Sequence, residues 1–243
     1  MVDENEHHYE QPEDRGKLSP DSPQSAANDI GGSAVTDPTH DEGYAERQHR
    51  NAREEARLKE WAEKRGLLGG GLPENKHQGG EHAVEFDERR QRFIKGTLPE
   101  VGFGYGIYLS NTGQQATPGE YLDRLALHNR IFGDDIKVER VVPLGAGKFS
   151  IVTSQSALQG EPATPRQIQQ SMRSKGFEPI ADGVFYNRDE GLLIHDMHPR
   201  NAVFSGGRAV PIDTSVQRVT PEFADWISKN AQILKNQGKL RGP

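Results

Sequence analysis

The sequence contains no cysteine and no apolar run that approaches the length of a bilayer span. The absence of cysteine excludes disulfide bonds and thiolate metal sites, which fits a protein of the reducing cytoplasm. The absence of a long apolar run excludes a membrane-spanning helix, and the acidic residues after Met1 are unlike the basic start of a signal peptide. We therefore expect a cytoplasmic protein without a membrane partner.

Large apolar side chains are also scarce. Hydrophobic residues make up 33% of the 243 residues and aromatic residues 7%, whereas there are 27 glycines and 15 prolines. Such averages are typical of a folded domain joined to a disordered segment. The net charge of −6 lacks the positive excess that broad nucleic-acid binding needs, so we do not expect a nucleic-acid partner.

Changes of composition along the chain predict five segments. Residues 1–45 are rich in Pro, Ser, Gly, Asp and Glu and cannot bury enough apolar surface to order the backbone. A stretch rich in Ala, Glu and Arg with one weakly apolar face follows, and Gly66 ends it. The predicted segments are a disordered acidic tail, a helix, a glycine-rich linker, a folded domain and a flexible C-terminus, over residues 1–45, 46–66, 67–80, 81–236 and 237–243.

The predicted folded domain combines capped helices with short strands. Thr117, Thr164 and Thr220 each precede a proline, and a Thr-Pro pair is typical of the N-cap and first position of a helix. β-branched and aromatic runs separated by turn residues predict strand pairs, for example across residues 145–148 and across residues 205–208. This mixture of strand pairs and separate helices indicates an α+β domain.

The motif most specific for chemistry lies at residues 193–201, Leu-Ile-His-Asp-Met-His-Pro-Arg-Asn, and a second apolar run ends at Asp213. Asp196 has a side chain that can accept a proton from a hydroxyl group. Asn201 and Asp213 offer the hard oxygen ligands that Mg²⁺ prefers. The hairpin across residues 205–208 is predicted to bring Asn201 and Asp213 to the same end of two strands. The spacing therefore predicts a site for phosphoryl transfer.

This stretch resembles the catalytic loop and metal-binding strand of the protein-kinase-like fold. The aminoglycoside- and choline-phosphotransferase branch is similar, because its loop reads His-Gly-Asp-Leu-His-Pro-x-Asn. By that resemblance Asp196 is the catalytic aspartate, and Asn201 and Asp213 are the Mg²⁺ ligands. Over about residues 80–225 the pattern most resembles a reduced kinase-like domain found in the polyvalent proteins of phages and conjugative elements.

The resemblance implies a truncated fold, with a small antiparallel-sheet N-lobe plus a helix, and a shortened C-lobe. It also implies ATP and Mg²⁺ as cofactors. Lys95, at the end of Phe-Ile-Lys, is similar to the N-lobe lysine that holds the nucleotide phosphates. Its expected ion-pair partner is Glu120, in the first turn of the following helix, with Asp123 as the alternative.

Further roles follow from the same resemblance. Thr153, Ser154 and Gln155 occupy the place of the hinge whose backbone binds adenine, and Gly79 and Gly80 are the nearest equivalent of a glycine-rich phosphate loop. We also count His198 among the catalytic residues, because it lies where protein kinases carry a lysine that faces the transferred phosphate. A neutral histidine there favours a small-molecule or otherwise unusual acceptor.

Each of these residues also has a purely structural interpretation. Asp196 and Asn201 are common turn formers, because their side chains bond to nearby backbone. Lys95 could be a solvated lysine at a strand end, and Glu120 could do no more than complement the helix dipole.

A zinc site is a further alternative, since His195 and His198 are spaced as His-x-x-His. Two such ligands converge on one ion when they lie on a helix, and Pro199 disfavours a helix here.

Two functions therefore stay open. The first is an ATP- and Mg²⁺-dependent phosphotransferase that acts on a hydroxyl group of a protein or a small molecule in a mobile-element context. The second is a catalytically inactive kinase-like module that binds a nucleotide or a partner. The shortened C-lobe favours the second, and the retention of Lys95, Asp196, Asn201 and Asp213 favours the first.

Overall fold

The structure is a computed structural model, and it describes residues 19–32, 43–74, 77–78, 81–99, 104–106 and 115–237. The helices are α1 (Pro23–Ile30), α2 (Tyr44–Arg65), α3 (Pro118–Phe132), α4 (Pro165–Arg173) and α5 (Pro221–Gln237). The strands are β1 (His77–Gln78), β2 (His82–Asp87), β3 (Arg92–Thr97), β4 (Lys137–Gly145), β5 (Lys148–Ser156), β6 (Glu161–Pro162), β7 (Glu178–Ala181), β8 (Val184–Asn187), β9 (Leu192–His195), β10 (Ala202–Ser205), β11 (Arg208–Pro211) and β12 (Ser215–Arg218). The α+β class predicted from the sequence is confirmed.

The strands form three antiparallel sheets. The first has the order β1-β2-β3-β5-β4, so β5 lies between the strand of Lys95 and β4. The second has the order β11-β10-β6, and the third has the order β12-β9-β8-β7. The hairpins predicted across residues 145–148 and 205–208 are the β4–β5 and β10–β11 pairs.

Helix α3 connects the two halves of the molecule. Its N-terminus has the capping box that Thr117 and Glu120 form, and Gly133 ends it in the left-handed conformation with φ 66°. Leu122 packs in the core that the N-terminal helices share with β4 and β5. Leu127 and Phe132 pack instead with the second and third sheets. A change in the position of α3 therefore acts on both cores.

The predicted tail of residues 1–45 requires a correction, because it contains helix α1. Ala26, Ala27 and Ile30 have no exposed surface and pack against helices α2 and α3. A helix of eight residues has little stability alone, so its order comes from this packing rather than from its own composition. Residues 1–18 and 33–42 of the predicted tail lie outside the described residues.

The predicted linker of residues 67–80 also differs from the expectation at its start. The backbone N–H of Gly69 donates to Val141 of β4, and Val141 donates to Leu67, both at 2.8 Å. Leu67 and Leu68 pack against the first core. The chain from α2 into the first sheet is therefore anchored, and the predicted boundary at residue 81 does not separate two independent units. The predicted C-terminal segment lies outside the described residues from 238 onward.

None of the helices in the described ranges combines the length and the apolar character that crossing a membrane requires.

Candidate active site

Four strand ends meet at one edge of the second and third sheets. Strand β9 ends at His195 opposite Ser215, where β12 begins. Strand β10 begins at Ala202 opposite Pro211, where β11 ends, and the next backbone bond runs from Ile212 N to Asn201 O at 2.8 Å. The three side chains predicted to do the chemistry each lie one or two residues beyond one of these ends: Asp196, Asn201 and Asp213.

Asn201 holds the Asp196 loop in place. Its Nδ2 donates to the Asp196 carboxylate Oδ2 at 2.8 Å and to the Asp196 backbone oxygen at 2.9 Å. Asp196 has a positive φ of 62°, a conformation that aspartate adopts more readily than most residues. Its side chain is 60% exposed, so one face of the carboxylate can be approached from solvent. Because both contacts use the amide nitrogen, the Asn201 Oδ1 is left for another ligand.

His198 lies beside Asp196 on the same loop, with 3.5 Å between its Nε2 and the Asp196 Oδ1. Its ring packs directly on Gly183, at the turn between β7 and β8, where any Cβ atom would overlap the imidazole. Gly183 also has a positive φ of 66°, so both the space and the backbone require glycine there. The β7–β8 turn therefore fixes the position of His198 beside the carboxylate.

Lys95 reaches this edge from the first sheet. Its Nζ donates a hydrogen bond of 2.6 Å to the backbone oxygen of Ile212, the residue before Asp213. Partial burial alone would raise the pKa of Asp213, but the positive charges around it, with Lys95 the largest and Arg124 among them, together outweigh that effect and hold the pKa below its usual value. Burial lowers the pKa of Lys95, and the charge of Asp213 opposes this shift. The two charges therefore interact across the cleft between the sheets.

The expected ion pair between Lys95 and Glu120 does not form. The Glu120 carboxylate is buried at the start of α3 and accepts hydrogen bonds from Arg47 and from Arg50, the latter at 2.7 Å. The alternative partner, Asp123, accepts from Arg218 Nε at 3.1 Å. Both carboxylates bond to arginines, and Lys95 Nζ bonds to Ile212, so neither prediction for its partner is correct.

The predicted hinge residues lie inside the first sheet. The backbones of Thr153 and Ser154 pair with β3 on one side and with β4 on the other. The expected hydrogen bonds from these backbone groups to adenine therefore cannot form. Ser154 bonds to Arg92 and its side chain is buried. Gln155 lines the cleft and donates to Asp134 Oδ2 at 2.5 Å. The groups that Thr153 and Gln155 present to the cleft are therefore side chains. The predicted phosphate loop, Gly79 and Gly80, lies outside the described residues.

The cleft between the sheets has more polar side chains than the sequence indicated. Its lining includes His82, Lys95, Arg124, His128, Gln155 and Asp213. Burial lowers the pKa of His82 to about 4, and burial also lowers the pKa of His128, so both rings are neutral near pH 7. His128 Nε2 lies 3.0 Å from Asp134 Oδ2, and this contact is a hydrogen bond of a neutral ring rather than an ion pair.

Sequence reasoning missed the polar face of helix α3. Tyr121, Arg124 and His128 follow the three- and four-residue spacing of one helical face, and all three line the cleft. That periodicity was visible in the sequence. What could not be seen is that this face lies toward Lys95 and Asp213, because the orientation of α3 is set by its packing with α1 and α2.

The donor set of the site fits Mg²⁺. Asn201 Oδ1 and the Asp213 carboxylate are hard oxygen donors, and the lowered pKa of Asp213 favours the ionised form that a cation needs. Mg²⁺ commonly takes one or two protein oxygens and completes its coordination with water and phosphate. Among the described residues, no group of three or more His, Cys, Asp and Glu side chains is placed to hold a metal, so the zinc alternative at His195 and His198 has no support.

Comparison with known proteins gives one match. A family model described as a serine/threonine/tyrosine kinase found in polyvalent proteins matches residues 51–220. This range includes the cleft and the edge where Asp196, Asn201 and Asp213 lie, and it begins within α2, after α1. No curated protein matches the chain, and no solved structure matches it.

Proposed function

The chain belongs to the family of serine/threonine/tyrosine kinases found in polyvalent proteins, and from this premise we propose that it is a phosphotransferase that uses ATP and Mg²⁺. The observation that best supports the proposal is the contact between Lys95 Nζ and the backbone oxygen of Ile212, at 2.6 Å. This contact places the ammonium group of Lys95, from the first sheet, at Ile212, which immediately precedes Asp213. A phosphate-binding cation and a metal-binding carboxylate are needed side by side in this chemistry.

The roles of the side chains follow from their positions. Asp196 orients the acceptor hydroxyl and takes its proton, and Asn201 keeps the Asp196 carboxylate in one orientation. Asn201 Oδ1 and Asp213 hold Mg²⁺, and Lys95 binds phosphate oxygens beside them. Bound Mg²⁺ supplies charge neutralisation across the phosphates. The catalytic effect of the chain is therefore mainly positioning and electrostatic stabilisation.

The acceptor is a hydroxyl group of a protein or of a small molecule. The family description favours serine, threonine or tyrosine side chains. His198 lies beside Asp196 with 32% of its side chain exposed, at the position where protein kinases carry a lysine. We place the reaction in the cytoplasm, where ATP is abundant, and in the context of the mobile elements whose polyvalent proteins give the family its name.

A second candidate function is supported by the same contacts. Lys95 has no carboxylate partner from helix α3, because Glu120 bonds to Arg47 and Arg50. The backbone of the predicted hinge is also used within the sheet. These departures favour a kinase-like module that binds a nucleotide or a partner without transferring phosphate.

One experiment separates the two functions. The purified chain is incubated with Mg²⁺ and ATP labelled in the γ-phosphate, alone, with peptides that contain Ser, Thr and Tyr, and with small hydroxyl compounds. Transfer is measured by mass spectrometry. We expect transfer by the wild type and a loss of about a hundredfold or more in Asp196→Asn, which removes the proton acceptor.

The matched control is Asp189→Asn, because Asp189 is an exposed aspartate in the turn at the opposite end of β9. We expect this variant to transfer phosphate like the wild type. Equal transfer by Asp196→Asn and the wild type would contradict the role of Asp196. ATP binding without any transfer would favour the non-catalytic module.

A further inference from the structure

Helix α3 places an arginine in the cleft beside Lys95. Arg124 lines the cleft together with Lys95 and Asp213, and it is 9% exposed. Glu120 and Asp123, the carboxylates expected to face Lys95, bond to arginines outside the cleft. The charged side chain that α3 contributes to the lining beside Lys95 is therefore a cation, where the resemblance to kinases predicted an anion.

One nitrogen of the Arg124 guanidinium group has a hydrogen-bond acceptor, and another has none among the described residues. Its Nη1 donates to Glu81 Oε1 at 2.6 Å, while its Nε is buried and has no hydrogen-bonding partner among the residues that the structure describes. The backbone of Gly106 lies so close that a Cβ atom there would overlap the Glu81 carboxylate and approach Arg124. Buried guanidinium donors usually have an acceptor, so an unpartnered one in a cleft points to an absent ligand.

The donors of Lys95 and Arg124 favour an anionic ligand at this point once Mg²⁺ occupies Asp213. Lys95 and Arg124 are the cations of the cleft, because burial keeps His82 and His128 neutral, and Glu81 balances Arg124 through the Nη1 contact. Asp213 offsets the charge of Lys95, and in the proposed function Asp213 is occupied by Mg²⁺. Lys95 on β3 and Arg124 on α3 then both face the proposed position of the nucleotide phosphates. The guanidinium group presents several donors in one plane, which matches the geometry of phosphate oxygens.

We propose that Arg124, positioned by Glu81, is a second phosphate-binding residue that acts with Lys95 on a nucleoside di- or triphosphate. The inference rests on the proposed function, because it names a ligand contact of that same cleft. It predicts that the phosphates, rather than the nucleoside, depend on Arg124. Removing the Arg124 side chain should therefore weaken the binding of ATP and ADP and leave the binding of adenosine unchanged.

The test measures dissociation constants of ATP, ADP and adenosine by calorimetry for the wild type and for Arg124→Gln. We expect Arg124→Gln to bind ATP and ADP on the order of tenfold to a hundredfold more weakly, with adenosine unchanged. Arg218→Gln is the matched control, because it removes an arginine that bonds to a carboxylate of α3, Asp123, without lining the cleft. We expect the control to alter no affinity by more than about twofold.

Stability is measured in parallel by thermal unfolding. If Arg124→Gln does not fold, Arg124→Lys takes its place, with a smaller but still phosphate-specific loss of several-fold, because an ammonium group cannot reproduce the planar donors. A variant of Arg124 that binds ATP like the wild type, or loses ATP and adenosine equally, would overturn the inference. A wild type that binds no nucleotide would instead refute the proposed function, so the two failures are distinguishable.

Discussion

The Nζ of Lys95 donates a 2.6 Å hydrogen bond to the backbone oxygen of Ile212, although 117 residues separate the two in sequence. This bond joins the central part of the first sheet to the strand end that precedes Asp213. It places an ammonium group and a carboxylate on opposite walls of one cleft. The proposed nucleotide site depends on this relationship more than on any single motif.

Replacing Lys95 with methionine tests its part in phosphate binding. Lys95→Met keeps the length of the side chain and removes the charge, so we expect ATP to bind about tenfold or more weakly. The affinity is measured by calorimetry or by fluorescence of a labelled nucleotide. Lys137→Met is the control, because Lys137 is an exposed lysine on β4, on the other side of β5. Equal losses of ATP affinity in Lys95→Met and Lys137→Met would show that Lys95 does not bind the phosphates.

The pH dependence of stability reports on His195. Burial lowers its pKa from 6.5 to about 4 in the folded chain, so the unfolded chain binds more protons between these values. The free energy of unfolding should therefore fall as the pH decreases from 6.5 toward about 4. In His195→Gln we expect this fall to be smaller, by on the order of 1–3 kcal/mol. Urea denaturation at several pH values measures the free energy of unfolding of the wild type and of His195→Gln.

The control for His195 is His49→Gln, because His49 is exposed on helix α2. We expect this variant to show the same pH dependence as the wild type. A wild-type free energy of unfolding that stays level from pH 6.5 to about 4 would contradict the neutral state of His195 in the folded chain.

The contacts of Glu120 make it a structural residue of the N-terminal helices. Glu120→Ala removes the buried carboxylate that Arg47 and Arg50 share, so we expect a loss of about 3–5 kcal/mol in the free energy of unfolding. Glu60→Ala, which removes an exposed ion pair with Lys64 on α2, should leave the free energy of unfolding close to that of the wild type. At a temperature where the Glu120 variant is folded, its affinity for ATP should match the wild type. A loss of ATP affinity without a loss of stability would restore the predicted pairing with Lys95.

Helix α1 should contribute measurably to stability, although the family match begins after it. Ile30 has no exposed surface and packs in the first core, so Ile30→Ala should lower the free energy of unfolding by about 2–4 kcal/mol. Ile233→Ala is the matched control, because Ile233 is 52% exposed in α5. Urea denaturation compares them. Equally small changes in the free energy of unfolding of the two variants would show that Ile30 of α1 is not packed in the first core.

The sequence was sufficient where local rules decide the structure. The Thr-Pro start and the glycine end predicted α3, and the hairpin across residues 205–208 led us to expect Asn201 and Asp213 at one end. In both cases the signal and the element lie within a few residues of each other. The resemblance to kinases was informative for the same reason, because its motif is local.

The sequence was insufficient where distant packing decides. Glu120 lies 70 and 73 residues from the arginines that bind it, and nothing local indicates that pairing. Helix α1 is too short to be stable without its partners, so composition alone predicted disorder. Arg124 lay on a recognisable helical face, but its role depends on where that face points. Tertiary contacts therefore decided the corrections.

The most direct test of the central claim is a calorimetric titration of ATP, with and without Mg²⁺, into the wild type and Asp213→Asn. The account predicts that Mg²⁺ strengthens ATP binding to the wild type by about tenfold or more and that Asp213→Asn loses this gain. Asp225→Asn, which changes an aspartate paired with Lys229 on the surface of α5, should keep it. An equal gain from Mg²⁺ in Asp213→Asn, or no ATP binding by the wild type, would contradict the account.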